Sequence, residues 1–278
     1  MRPKSGRSII EVIIAAIALL MLLVLLLPFI QRSRESSRRN QCANNLVKIH
    51  FAIAAYHSDH GHFPIGTVNE TGPIQSQAEG FHHNWLTAIL PMLGESEIDL
   101  LVDRRTSVYA AENSQARESK IARLICPSQV NVSLTSTSYA GITSSIETPS
   151  DSDNDGVFRL NLPTTDQEIV DGLSHTAFLA EKLALPGDLG WMSGTRSSLR
   201  NGGHSINAPE SMNVDSNQNN LDPKFVGGFA SRHPVGAHVL FGDGKYQFCT
   251  TGINRRVLSQ MCGKADKLNS NPDAKTAD

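Results

Sequence analysis

The sequence has no Cys-x-x-Cys pair, phosphate-binding loop, dinucleotide-binding glycine fingerprint or His-Glu-x-x-His pattern. The first absence argues against a zinc ribbon and a thioredoxin-like redox site. The others remove the usual marks of nucleotide binding and of a zinc protease. Gly172-Leu173-Ser174-His175-Thr176 begins like a nucleophile elbow but lacks its closing Gly, and reads as the turn before a strand. No catalytic constellation emerges, so we expect no enzyme. Charge is also sparse, with 19% charged residues and a net charge of -2. Nothing draws the whole chain to nucleic acid. No internal repeat is found.

One stretch is rich in what the rest lacks. Ser8 to Gln31 (SIIEVIIAAIALLMLLVLLLPFIQ) is almost wholly apolar and carries a single charge, Glu11. A helix rises ~1.5 Å per residue, so about 20 apolar residues cross a bilayer core. The run is too long for a cleaved signal core, and Pro28-Phe29-Ile30-Gln31 offers no small-residue cleavage site. A plain anchor fits the length but gives Glu11 no task. A carboxylate inside an apolar run usually marks a function; the bland alternative is that Glu11 snorkels to the headgroups. Charge flanks do not decide orientation. Arg2, Lys4 and Arg7 lie on one side, and Arg32, Arg34, Arg38 and Arg39 on the other. The second cluster reads as a juxtamembrane patch near lipid headgroups.

Beyond the apolar run, Ser33 to Tyr56 has no Gly or Pro, and Leu46, Ile49, Ile53 and Tyr56 recur at helical spacing. One helix is expected from about residue 8 to about 58, with Pro28 able to kink it. Short helices are expected at Asn84–Leu93, at Ser96–Val102 with Ser96 as N-cap, and at Ala111–Leu124. Strands are expected at Ser138–Ile142, Val157–Leu162, Ala177–Lys182, His238–Phe241 and Lys245–Cys249. The last two flank Gly242-Asp243-Gly244, a hairpin signal. Leu185 to Gly228 is rich in Gly, Ser and Asn and reads as a long exposed loop. A helix followed by an antiparallel sheet is an α+β pattern.

The four cysteines, Cys42, Cys126, Cys249 and Cys262, allow three disulfide pairings. We expect Cys42–Cys126 and Cys249–Cys262, the second from chain proximity; idle buried thiols are the alternative.

The N-terminus resembles that of type IV prepilins and type II secretion pseudopilins. Gly6 stands where a prepilin peptidase would cut, Glu11 falls fifth after it, and Pro28 matches the family's helix proline. Arg7 stands where the pattern has Phe. The resemblance extends over nearly the whole chain to domain-of-unknown-function family 1559. The matching blocks are RESSRRNQCANNLVKIHFAIAAYHSDHGHFPIG, NWLTAILPMLGE, LICPSQ, TSYAGI, EIVDGLSHTAFLAEK and FASRHPVGAHVLFGDGKYQF. The last holds the family's processing-associated motif, His233, nine residues, then Asp243-Gly244. The resemblance implies a pilin-like α+β fold: a long N-terminal helix, its first half spanning the membrane, packed on a small antiparallel sheet with long loops. It implies a leader at 1–7, a transmembrane helix at 8–31, its continuation at 32–58, an exported domain at 59–263 and a disordered tail at 264–278. It further implies a single-pass protein of the bacterial inner membrane, N-terminus cytoplasmic and C-terminal domain outside. Lipid, a prepilin peptidase and like or unlike subunits docking through the helix are the implied partners. Pseudopilin-like assembly or secretion is the implied role. A monomeric, membrane-tethered domain binding calcium or a glycan through the 185–228 loop is the alternative.

Three site readings remain. His233 and Asp243 either face each other as a clasp or metal site, or Asp243-Gly244 is only a hairpin turn, which turn chemistry favours. Asp151, Asp153, Asp155 and Gly156 match the start of a calcium loop, but Leu162 stands where a bidentate Glu is needed. A solvated acidic turn is the bland alternative. His57, His60, His62, His82 and His83 have no metal-ligand spacing and read as surface or turn histidines.

Overall fold

The computed structural model describes residues 9–129, 133, 135–185, 187–212 and 221–265; Gly6 and Arg7 lie outside them. Helix α1 (Ile9–His60) is continuous over 52 residues, with Pro28 inside it. At ~1.5 Å per residue it is about 78 Å long. Every residue from Ile9 to Ile30 is exposed, and this helix is long and apolar enough to cross a membrane. Its second half differs. Cys42, Leu46, Ile49 and Ile53 are fully buried, and their spacing of three and four places them on one stripe. Gly61, at φ 75°, ends the helix by donating its N–H to His57 O at 2.8 Å, a left-handed cap that Gly adopts without steric cost.

The chain then makes a small ribbon, β1 (Thr67–Val68) with β2 (His83–Asn84), and three short helices, α2 (Trp85–Ala88), α3 (Ser96–Asp99) and α4 (Ser114–Glu118). Each is shorter than its sequence pattern suggests. Asn84 and Thr87 form a capping box that starts α2. Pro91 keeps it short by disfavouring helical backbone at Leu90. Ser96 does not cap α3; that place belongs to Glu95, without a side-chain bond. The helix expected over Ala111–Leu124 is α4 between two 3-10 turns.

The main sheet contains β3 (Tyr139–Ser144), β4 (Ala177–Glu181), β5 (Leu199–Asn201), β6 (Gly236–Phe241) and β7 (Tyr246–Thr250), in the order β5-β3-β4-β6-β7. All neighbours are antiparallel except β3 and β5, which are parallel. The buried stripe of α1 packs on one face with Leu124, Tyr139, Phe178, Leu179 and Leu240. The other face buries Ile142, Ala180, Phe229, Val239 and Leu258, the last from α6 (Arg255–Cys262). A further short helix, α5 (Pro209–Met212), lies between β5 and β6. The architecture is the expected α+β one, a long helix on a small sheet; the parallel strand β5 and helix α6 are additions to it.

Two expectations are corrected. Val157–Leu162 is not a strand. β4 pairs with β3 only from Tyr139 to Gly141, and past it this segment meets β3 through isolated bonds such as Phe158 N to Ile142 O, 3.1 Å, without forming a ladder. Within the stretch expected as an exposed loop at 185–228, every residue from Trp191 to Asn201 is buried. Its polar side chains answer one another, Ser193 Oγ meeting Thr195 Oγ1 at 3.0 Å and Ser198 Oγ donating to Ser193 O at 2.7 Å. Beneath it, Asp188 gathers Lys182 at 2.7 Å, Arg196 at 3.5 Å and Arg200 at 3.6 Å. Of the tail expected at 264–278, residues 266–278 lie outside the described residues, and Lys264 donates its N–H to Asp155 O at 2.9 Å.

Candidate functional site

The side chains that reach furthest across the sequence meet where α1 crosses the sheet. Glu35 and Cys42 come from α1, two helical turns apart, so they share a face. Cys126 comes from the segment after the second 3-10 turn (Ala122–Leu124). Glu181 is the last residue of β4. His233 sits in the turn before β6, held by its N–H on Ser231 Oγ at 3.0 Å, and that hydroxyl donates to Gly236 O at 2.6 Å. His238 is inside β6.

Their contacts form one chain. His233 Nδ1 meets Glu35 Oε1 at 2.7 Å, and its Nε2 meets Glu181 Oε1 at 3.2 Å. Glu181 Oε2 accepts from the His238 N–H at 2.7 Å and lies 3.1 Å from its Nδ1. Cys42 and Cys126 are joined by a disulfide, and Cys126 Sγ is 3.5 Å from His233 Nε2. Tyr139 Oη donates to Cys42 O at 3.1 Å. Arg38 pairs with Glu35 at 2.6 Å, and the Arg39 guanidinium lies 3.6 Å over the Phe248 ring, a cation–π contact.

Burial alone would pull the His233 pKa down, but hydrogen bonds and charge from Glu181 and Glu35 hold it above its ordinary value. Burial would raise Glu181, yet His233 and His238 hold its carboxyl below the ordinary range. Glu35 is likewise lowered against its own desolvation by His233 and Arg38. The arrangement is a carboxylate–imidazolium–carboxylate clamp in which both ring nitrogens donate.

The structure separates the two ends of the His-nine-residues-Asp-Gly motif. Asp243-Gly244 is the hairpin turn between β6 and β7. Asp243 Oδ1 accepts from the Lys245 N–H at 3.0 Å, and Gly244 adopts φ 84°. A Cβ on Gly244 would lie 2.9 Å from the His50 ring. The motif therefore spans β6 with its turns: one end pins α1 at Glu35, and the other abuts it at His50. The clasp between His233 and Asp243 is absent because a whole strand lies between them.

Other expected sites stand apart. Asp155 accepts from Ser144 Oγ at 3.0 Å and the Ser145 N–H at 2.8 Å, while Asp151 Oδ1 accepts from the Ser152 N–H at 2.7 Å and Asp153 is exposed. Asp155 and Asp151 thus each accept from their own neighbours. Gly156 has its own reason, since a Cβ there would fall 2.4 Å from the Thr143 backbone. Cys249 and Cys262 are free thiols, which corrects the second disulfide. Both pack in the core on the face of the sheet away from α1, and Cys262 Sγ lies 2.7 Å from where a Cβ on Gly202 would fall. Burial pushes the Cys249 thiol up to about 11 and raises Cys262 as well. His82 and His83 are buried, not on the surface. His82 bonds Tyr109 Oη at 2.7 Å, and burial pulls its pKa down to about 4.

At the far end of α1 is an open cleft of about 510 Å³, lined by Tyr56, His60, Phe81, His83, Met92 and Arg104 among others. The Tyr56 and His60 rings stack at 4.0 Å. Sequence reading missed both this cleft and the clamp. The signal for the clamp lay in the resemblance blocks, because Glu35 and Cys42, Cys126, Glu181 and His233 come from four different ones.

The sequence profile of a family described as protein of unknown function (DUF1559) matches residues 31–256. The chain belongs to that family. No curated protein and no solved structure matches it.

Proposed function

We propose that this DUF1559-family chain is a membrane-anchored, pseudopilin-like assembly subunit, with its C-terminal domain outside the cytoplasm. The observation that carries the reading is the contrast along α1. From Ile9 to Ile30 no residue is buried by the rest of the chain, whereas from Glu35 onward the same helix is bound into the domain, by the clamp at Glu35 and the disulfide at Cys42. A helix so rigidly attached, yet so bare at its other end, suits packing against lipid and against the same helix of another subunit. Glu11 then has a task. Cleavage after Gly6 would free an amine at Arg7, and a neighbour's Glu11 would pair with it, offsetting the carboxylate's desolvation.

The intact mass of the membrane-extracted protein tests the processing step. A mature chain beginning at Arg7 is expected. A chain beginning at Met1 or Arg2 removes the amine that Glu11 needs, and the assembly reading with it.

A second reading, a tethered binding domain, rests on the cleft at Tyr56, His60 and Phe81. Its aromatic faces beside Arg104 suit a glycan, and the buried 191–201 stretch does not supply the binding loop that the sequence suggested. Full-length protein in detergent, titrated with a panel of oligosaccharides by calorimetry, tests it; heats indistinguishable from dilution would end it.

A further inference from the structure

The disulfide and the clamp share a second possibility. Cys42, Cys126, Glu181 and His233 each offer one donor atom, these atoms lie within 4.8 Å of one another, and all four residues are buried. We propose that, when the Cys42–Cys126 bond is reduced, these four side chains form a tetrahedral zinc site, so that the helix is held to the sheet by a disulfide in one redox state and by a metal ion in the other.

The donor set fits the ion. Two thiolates, an imidazole and a carboxylate are ordinary zinc ligands, and four-coordinate zinc keeps its donors about 3.3–3.8 Å apart. His233 Nε2 already lies 3.5 Å from Cys126 Sγ and 3.2 Å from Glu181 Oε1. The surrounding groups are also in place. A zinc-bound His usually donates its other N–H to a carboxylate, which fixes the tautomer; here His233 Nδ1 is 2.7 Å from Glu35 Oε1. The carboxylate ligand is oriented as well, since Glu181 Oε2 is held by the His238 N–H at 2.7 Å, leaving Oε1 toward the sulfurs. A disulfide flanked by a bare hydrophobic core would show none of this.

The exchange balances. A dithiol reductant gives two electrons and two protons to the disulfide and becomes a disulfide itself. The two thiols and the Nε2–H of the His233 imidazolium then release three protons to the buffer as Zn²⁺ binds, and the neutral ring keeps its Nδ1 proton toward Glu35. Because Cys42 and Cys126 are sealed in the core, the ion enters while the reduced chain folds or after reductive opening. The inference does not depend on assembly.

The test uses the full chain in detergent, purified once under reducing conditions with zinc and once oxidised. The reduced protein is expected to hold about one zinc per chain and the oxidised protein at least 10-fold less. With Co²⁺ in place of zinc, the reduced protein should show thiolate-to-metal charge transfer. Glu35→Gln, which leaves all four ligands, should weaken affinity about 10-fold or more, in line with other outer-shell changes; His233→Ala should weaken it further. Should a variant fail to fold, the wild type still decides: zinc should protect Cys42 and Cys126 from alkylation and leave Cys249 and Cys262 unaffected. Reduced wild type that holds no zinc, a cobalt spectrum without thiolate bands, or Cys42 and Cys126 alkylated as fast with zinc as without would each overturn the proposal.

Discussion

Asp188 is one carboxylate among three buried cations, Lys182, Arg196 and Arg200. Burial pulls Lys182 down to about 8 even with Asp188 beside it, so the charge balance there is narrow. Asp188→Asn leaves buried cations without their counter-charge, and we expect a loss of about 3–5 kcal/mol, read as a lower denaturation midpoint in detergent. The clamp gives a pH dependence of definite sign. The His233 pKa is raised above 6.5, so its contribution is complete below 6.5 and lost as pH rises through the folded value. The Glu181 and Glu35 pKa values are lowered below 4.5, so theirs is complete above 4.5 and lost as pH falls through the folded values. Stability from the clamp should therefore peak between those two pH values. His233→Ala, melted across the same range, should flatten the alkaline limb of that peak; an unchanged profile would remove the ion pairs from the account.

At the scale of elements, the attachment of α1 is the main question. The Cys42–Cys126 disulfide closes a loop with a sequence separation of 84. Loops of that size restrict the unfolded chain strongly, and Cys126→Ser should cost about 2–5 kcal/mol. Non-reducing peptide mapping should find the Cys42–Cys126 linkage, with Cys249 and Cys262 alkylated only after denaturation. Periodicity made α1 and the β6–β7 hairpin legible, because both combine a clean repeat with strong end signals at Gly61 and Gly244. It failed wherever polarity was taken for exposure. Ser193, Thr195, Ser197 and Ser198 are polar and buried, satisfied by one another, and no single-residue scale records such a network. Val157–Leu162 alternates like a strand, but strand identity depends on a continuous ladder with a neighbour, which only the assembled sheet defines.

At the scale of the whole molecule, the described residues form a packed α+β domain on a helix whose first half, Ile9 to Ile30, is exposed. The fold class could be read from the order of patterns along the sequence. The clamp could not, since Glu35 and His233 are separated by 198 residues and neither stands out locally. The assembly reading requires that the exposed half of α1 meet other copies of itself. The most direct measurement places a single cysteine on that half, as Leu19→Cys, in cell membranes, and treats them with a short bismaleimide. The account predicts cross-linked dimers that diminish when Glu11→Ala is added. Only monomer, at expression levels where the protein is plainly membrane-bound, would contradict it.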